Sequence, residues 1–314
     1  MNEKEKKNNL LWWASRVALL MVGAIWGSSL VVVKSSVEMI SPNLLIACRF
    51  TIAFIVMALV FFKKFRLLNK EYVICGAIIG ACLFVAYWIQ TLGITLAMPG
   101  KSAFLSSIYC VIVPFVYWII GGRRPAMRNL MAALFCVTGI MLSSITKGFT
   151  IAPGDMLALL SGVFFAIHIA VVGKYGGKKD AVLITILQFG FCAGFAWIAT
   201  FIFEGTKLQW SAKATGGVLY LALACTALAL LLQNLGQKYA SPASASILMS
   251  TESVFGVVFS VIFMGEIMTP KLVIGFILIF LSVLISEIPF NPQKSNFRLR
   301  KTDAETLKKI KHIK

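Results

Sequence analysis

Apolar residues fill ten stretches of this chain, at 17–33, 44–62, 72–94, 103–120, 127–145, 156–172, 181–203, 216–235, 243–264 and 272–288. Each is near the roughly 20 residues that a helix needs to cross about 30 Å of hydrocarbon, and loop residues complete the last turn of the shorter ones. Residues 1–16 are polar and basic. The run after them is longer than the roughly 7–15 apolar residues of a signal-peptide core and more spans follow, so it is read as the first helix. The pattern predicts an all-α integral membrane protein with ten transmembrane helices.

Composition agrees. Of 314 residues, 59% are hydrophobic and only 13% charged, against about a quarter charged in soluble domains. The formal net charge of +18 does not indicate nucleic acid, because the Lys and Arg residues lie between apolar runs and at the two ends rather than on a soluble folded surface. They set orientation instead: 23 fall on the side of the N-terminus, six on the other, and Arg49 lies within the second helix. Basic loops stay inside, so both termini are expected in the cytoplasm and the protein in the plasma (inner) membrane. The seven cysteines all sit in apolar runs without metal-ligand or disulfide spacing and read as small buried hydrophobes.

The chain repeats itself. At an offset of 143, Gln90 aligns with Gln233, Leu92 with Leu235, Gly93 with Gly236, Pro99 with Pro242, Ser107 with Ser250 and Val111 with Val254. At an offset of 139, Gly23 aligns with Gly162, Trp26 with Phe165, and Cys48-Arg49-Phe50 with Leu187-Gln188-Phe189. Helices one to five therefore correspond to six to ten. Five is odd, so the second set enters the membrane with opposite polarity, giving two inverted five-helix repeats. The expected units are a cytoplasmic segment 1–16, repeat one at 17–146, repeat two at 153–288 and a basic cytoplasmic tail 289–314. The tail carries Thr302-Asp303-Ala304-Glu305, a capping-box pattern, and offers anionic lipid a surface helix if it is not simply solvated.

Polar residues inside the apolar runs are the candidate site. Glu252 reads as mid-helix in the ninth helix, and the 143 offset makes Tyr109 its counterpart, so both are expected at a midplane cavity. There Glu252 either binds a basic group or exchanges a proton, or else is a hydrogen-bonded structural carboxyl. Trp26, Gln90, Ser106, His168, Gln233 and Asn234 complete the expected cavity set, with helix-to-helix ties as the alternative for the amides and packing for His168 and Trp26. Arg49 is expected to reach outward or to pair with Glu38, with substrate contact as the alternative. Pro114 removes a backbone donor inside the fourth helix, so a kink and a hinge are expected there, and its counterpart Val257 makes the halves unequal. Gly100-Lys101-Ser102 ends like a phosphate-binding loop, but Thr95 stands where the leading glycine belongs and no strand precedes it. No metal, cofactor or catalytic cluster is expected, and the chain does not read as an enzyme.

Trp26-Gly27-Ser28-Ser29, the segment from Pro42 to Arg49-Phe50, Ala166-Ile167-His168, Gln188-Phe189, Ser250-Thr251-Glu252 and Gly265-Glu266, in this order across nearly the whole chain, resemble the EamA-type family of the drug/metabolite transporter superfamily. Gly122-Arg123 stands where that family often has Gly-Glu. The resemblance implies a ten-helix bundle around a central substrate cavity, exporting or exchanging small organic metabolites such as amino acids or nucleobase-like or drug-like compounds by alternating access. Translocation of a lipid or lipid-linked sugar is the alternative within the same superfamily. The implied partners are a small-molecule substrate and the bilayer.

Overall fold

The computed structural model describes residues 3–121, 124–144, 152–177, 179–204, 211–267 and 269–287. The basic tail and its capping box, Gly122-Arg123 and Lys178 lie outside them. Among the described residues the chain is helical throughout, in ten rods: α1 (Glu3–Val37), α2 (Pro42–Val60), α3 (Lys70–Leu96), α4 (Pro99–Gly121), α5 (Met127–Ser144), α6 (Pro153–Gly176), α7 (Ala181–Glu204), α8 (Ala212–Gly236), α9 (Pro242–Met264) and α10 (Pro270–Glu287). Eight of these, all but α5 and α10, are long and apolar enough to cross a membrane. The first helix starts well before the apolar run. Residues expected as a polar leader continue α1 without a break, and the Arg16 guanidinium lies 3.7 Å from the Trp12 ring.

Local chemistry explains the boundaries. Proline opens α2, α4, α6 and α9 in the first turn, where its missing N–H is not needed. Asn69, Asp180 and Ser211 cap α3, α7 and α8 through their side chains. Gly265 ends α9 with a positive φ of 67°, a conformation that glycine adopts without a Cβ penalty.

Two rods are broken in their middles. α4 is interrupted at Ser107-Ile108 and α9 at Ser250-Thr251, the same register at the 143 offset. Hydroxyls at the breaks donate to backbone carbonyls at 2.7–2.8 Å: Ser250 Oγ to Ile247 O, and Ser107 Oγ, Thr251 Oγ1 and Ser253 Oγ to Ala103 O, Leu248 O and Ser250 O, which also accept a backbone N–H. The break in α4 therefore falls before Pro114, which lies inside the continuous half Tyr109–Gly121. α9 breaks at the same place with Val257 at the proline position, so the proline is not what divides the rod.

A third irregularity lies in α8, whose turns widen to π geometry over Leu221–Leu228. Thr226 Oγ1 there donates to Leu221 O at 2.7 Å, and Trp26 Nε1 of α1 donates to Cys225 O at 3.0 Å. Wide turns free carbonyls for such outside donors.

Small residues set the closest packing. A Cβ on Gly27 would lie 2.5 Å from Phe255 Cβ and 2.7 Å from Gly256 N, and one on Gly23 would lie 3.1 Å from Glu252 N. α1 therefore rests directly on the broken region of α9, as small-residue faces allow where lipid supplies no hydrophobic drive. α3 packs on α6 and α7, α2 on α7, and α5 and α10 on one another. Ion pairs tie the elements at both ends. Lys101 meets Asp155 at the starts of α4 and α6, while Lys64 reaches Asp180 at 2.7 Å and Lys179 reaches Glu71 at 2.8 Å at the start of α7 and α3.

Candidate functional site

The two breaks meet inside the bundle. Each starts a second half-helix, and the first residue of one is Tyr109, of the other Glu252. Tyr109 Oη donates to Glu252 Oε2 at 3.4 Å, and the two residues are 1% and 4% exposed. Glu252 is thus not mid-helix, as its place in the apolar run suggests. It opens a half-helix of 13 residues. Although the N–H groups of Ser253, Val254 and Phe255 already donate to Ser250 O and Thr251 O, the helix dipole there favours a carboxylate by about 0.3–2 kcal/mol. That offsets part of the several kilocalories a carboxylate costs at this depth. Tyr109 offers one long hydrogen bond beyond it, so the carboxylate keeps acceptor capacity.

Around this pair lies a chamber built from equivalent positions of the two repeats. Trp26 faces Phe165 and Leu30 faces Ile169, both at the 139 offset, and Tyr109 and Glu252 supply the third pair. Ser29, Tyr87 and Gln90 complete the lining from the first repeat alone. The Tyr87 ring meets Phe165 edge-on at 5.2 Å, and Tyr109 meets Phe165 at 6.5 Å. About 10 Å³ is free for water centres, room for about one molecule. Ligand pockets hold some 300–1,000 Å³, so the chamber is contracted.

Of the eight residues expected here, Trp26, Gln90, Tyr109 and Glu252 line the chamber. The other four lie elsewhere. His168 is the counterpart of Ser29, but its Nε2 faces Gln188 Oε1 at 3.2 Å and ties α6 to α7. Asn234 Nδ2 donates to Thr185 Oγ1 at 2.7 Å, tying α8 to α7, and with Gln237 borders a separate small void. Gln233 is fully buried away from the chamber, and Ser106 turns its hydroxyl back to Ala103 O at 3.2 Å. The chamber is thus displaced toward the first repeat, whose Ser29 and Gln90 reach it where His168 and Gln233 do not.

Tyr87 and Ser29 were absent from the expected set, although each lies one helical turn from a member of it, Gln90 and Trp26. Phe165 was in hand as the counterpart of Trp26. Arg49 neither reaches outward nor pairs with Glu38. It is 1% exposed, donates from Nε to Thr226 Oγ1 at 2.9 Å and stacks its guanidinium 4.6 Å from the Tyr87 ring centre. The wide turns of α8 make that acceptor available at a depth where a long side chain cannot reach water.

A bundle of long apolar helices with two broken rods meeting at a buried carboxylate defines a multi-pass membrane transporter rather than an enzyme. The sequence profile of the EamA-like transporter family matches the chain twice, at residues 14–145 and 152–287. The chain therefore belongs to this family, part of the drug/metabolite transporter superfamily. An uncharacterized transporter of Archaeoglobus fulgidus is 30% identical over 273 residues, covering 86% of this chain and 84% of its own. The uncharacterized transporter YvbV of Bacillus subtilis is 25% identical over 293 residues, covering 90% and 94%. A protein of known crystal structure shares the fold with a TM-score of 0.69 at 18% identity, over 87% of this chain and 96% of that one.

Proposed function

We propose that this transporter moves small organic solutes by alternating access through the contracted chamber, with Glu252 binding a basic group of the solute or carrying a proton during the cycle. The observation behind this reading is a nearly buried carboxylate at a half-helix N-terminus, with a single side-chain donor, facing a chamber of aromatic and amide groups. An intramembrane carboxyl in such a position is a functional group by default. The broken rods supply the polar backbone ends that transporters of this architecture place around substrates. α5 and α10 cross the membrane as the fifth spans of two inverted repeats, both termini lie in the cytoplasm, and the host membrane is the plasma membrane.

Flux measurements in proteoliposomes test the chamber, using radiolabelled amines, amino acids and nucleobases with and without a proton gradient. Flux of at least one class, lost in Glu252→Gln, supports it, and no flux for any class refutes it. Labelling of single cysteines tests the orientation: Arg124→Cys and Lys64→Cys should react only from the cytoplasmic side, and reaction from outside overturns it.

A second reading, translocation of an amphiphile, is favoured by a groove of about 740 Å³ between α1, α8 and α9, lined by Ile25, Ser28, Val32, Tyr220 and Phe259 and bordered by Lys213. Transfer of a fluorescent anionic lipid between leaflets, absent in protein-free vesicles, would decide for it.

A further inference from the structure

Arg49 is a buried cation in want of an anion. It ranks among the largest fully buried side chains, at 1% exposure, and none of the ion pairs among the described residues includes it. Nε is satisfied by Thr226, but Nη2 is buried without a hydrogen-bond partner. The guanidinium lies over two rings, 4.6 Å from the centre of Tyr87 and 5.4 Å from that of Phe50. Aromatic faces attract a cation but accept no directed hydrogen bond comparable to a carboxylate's. A buried charge left in this state is costly, and the fold retains one only where something compensates it. Its repeat counterpart is neutral: Gln188, already engaged with His168. Tyr87 connects this cation to the chamber, since its ring touches the guanidinium and also lines the cavity that Glu252 borders.

We propose that Arg49 is a specificity-determining residue that binds an oxyanion of the transported solute, a carboxylate-like group, when the chamber expands and the Tyr87 ring moves aside. A planar guanidinium with a free N–H suits a carboxylate in a way that an ammonium does not. This rests on the chamber being the substrate site, as argued above, but not on which role Glu252 plays.

Three probes of one size separate the charges: benzoate, benzamide and benzylamine, bound to the purified full-length protein in nanodiscs and measured by equilibrium dialysis. Wild type should hold benzoate at least tenfold more tightly than benzamide. Arg49→Gln should bring that ratio to about one, while Glu252→Gln leaves it in place. Where Arg49→Gln does not yield monodisperse protein, Arg49→Lys carries the test, because it keeps the charge without the planar fork. Its ratio should fall at least threefold. A merely structural Arg49 would lower all three affinities together. Equal binding of benzoate and benzamide by wild type, or a ratio unchanged in the Arg49 variants, overturns the proposal. Flux in proteoliposomes is read separately, so a chamber that transports solutes without charge preference sinks this inference alone, whereas absence of any flux sinks the transport reading.

Discussion

Tyr109 and Glu252 stand 143 positions apart, each opens the second half of a broken helix, and the phenol of one donates to the carboxylate of the other at 3.4 Å. The repeat thus places a neutral donor and an ionisable acceptor at one register of its two copies. A carboxylate's hydrogen bond from a hydroxyl is ordinarily 2.5–2.7 Å, so this contact is loose and can yield to a solute or to a proton.

Glu252→Gln keeps the shape and removes the charge. Flux should fall more than tenfold and lose its dependence on a pH gradient, whereas Tyr109→Phe, which removes one long hydrogen bond worth about 0.6 kcal/mol, should lower flux less than tenfold. Proteoliposome rates across pH measure both. A glutamine variant with wild-type turnover and pH profile would leave Glu252 a structural group.

Asp180 gives a pH effect on stability. Burial pushes its carboxyl up, but the hydrogen bond from Lys64 and the backbone N–H of Leu183 outweigh that and hold it below its ordinary value. Such a carboxyl stabilises the fold above the unfolded value of about 3.9 and loses that contribution as pH falls through the lower folded value. Asp180→Ala should cost about 0.5–2 kcal/mol through the lost cap of α7. The difference in melting temperature between variant and wild type should be full at pH 7 and shrink below about pH 4.

Gly27 marks where α1 touches α9. A methyl there would meet the backbone of Phe255 and Gly256, so Gly27→Ala should destabilise by about 1–3 kcal/mol, the usual cost of overpacking. Thermal unfolding in detergent measures this. Gly194 has nothing within 4 Å of an added Cβ, so Gly194→Ala should be tolerated and serves as the control.

Pro114→Ala should leave flux within about twofold of wild type, because α9 breaks at the matching register without a proline. A fall to background would restore the proline as the moving point of α4.

Hydropathy by itself determined where the chain needs lipid as its solvent, and the spacing of matched residues determined that it is built twice. The buried glutamate and its tyrosine counterpart followed from the same offset. Which polar side chains share a chamber was decided only by the tertiary structure. Helices that are apolar all round carry no stripe marking an inner face, so His168 and Asn234 read as well for a cavity as for the ties between rods that they form, and Gln233 as well for a cavity as for the buried position it takes away from it. The breaks at Ser107 and Ser250 were hidden for a related reason, since serines are common in apolar helices and donate to backbone carbonyls in unbroken ones too, as Ser29, Ser36 and Ser161 do. Arg49 depended on a neighbour 177 positions away, Thr226, whose wide turn of α8 presents an acceptor at a depth that no local pattern encodes.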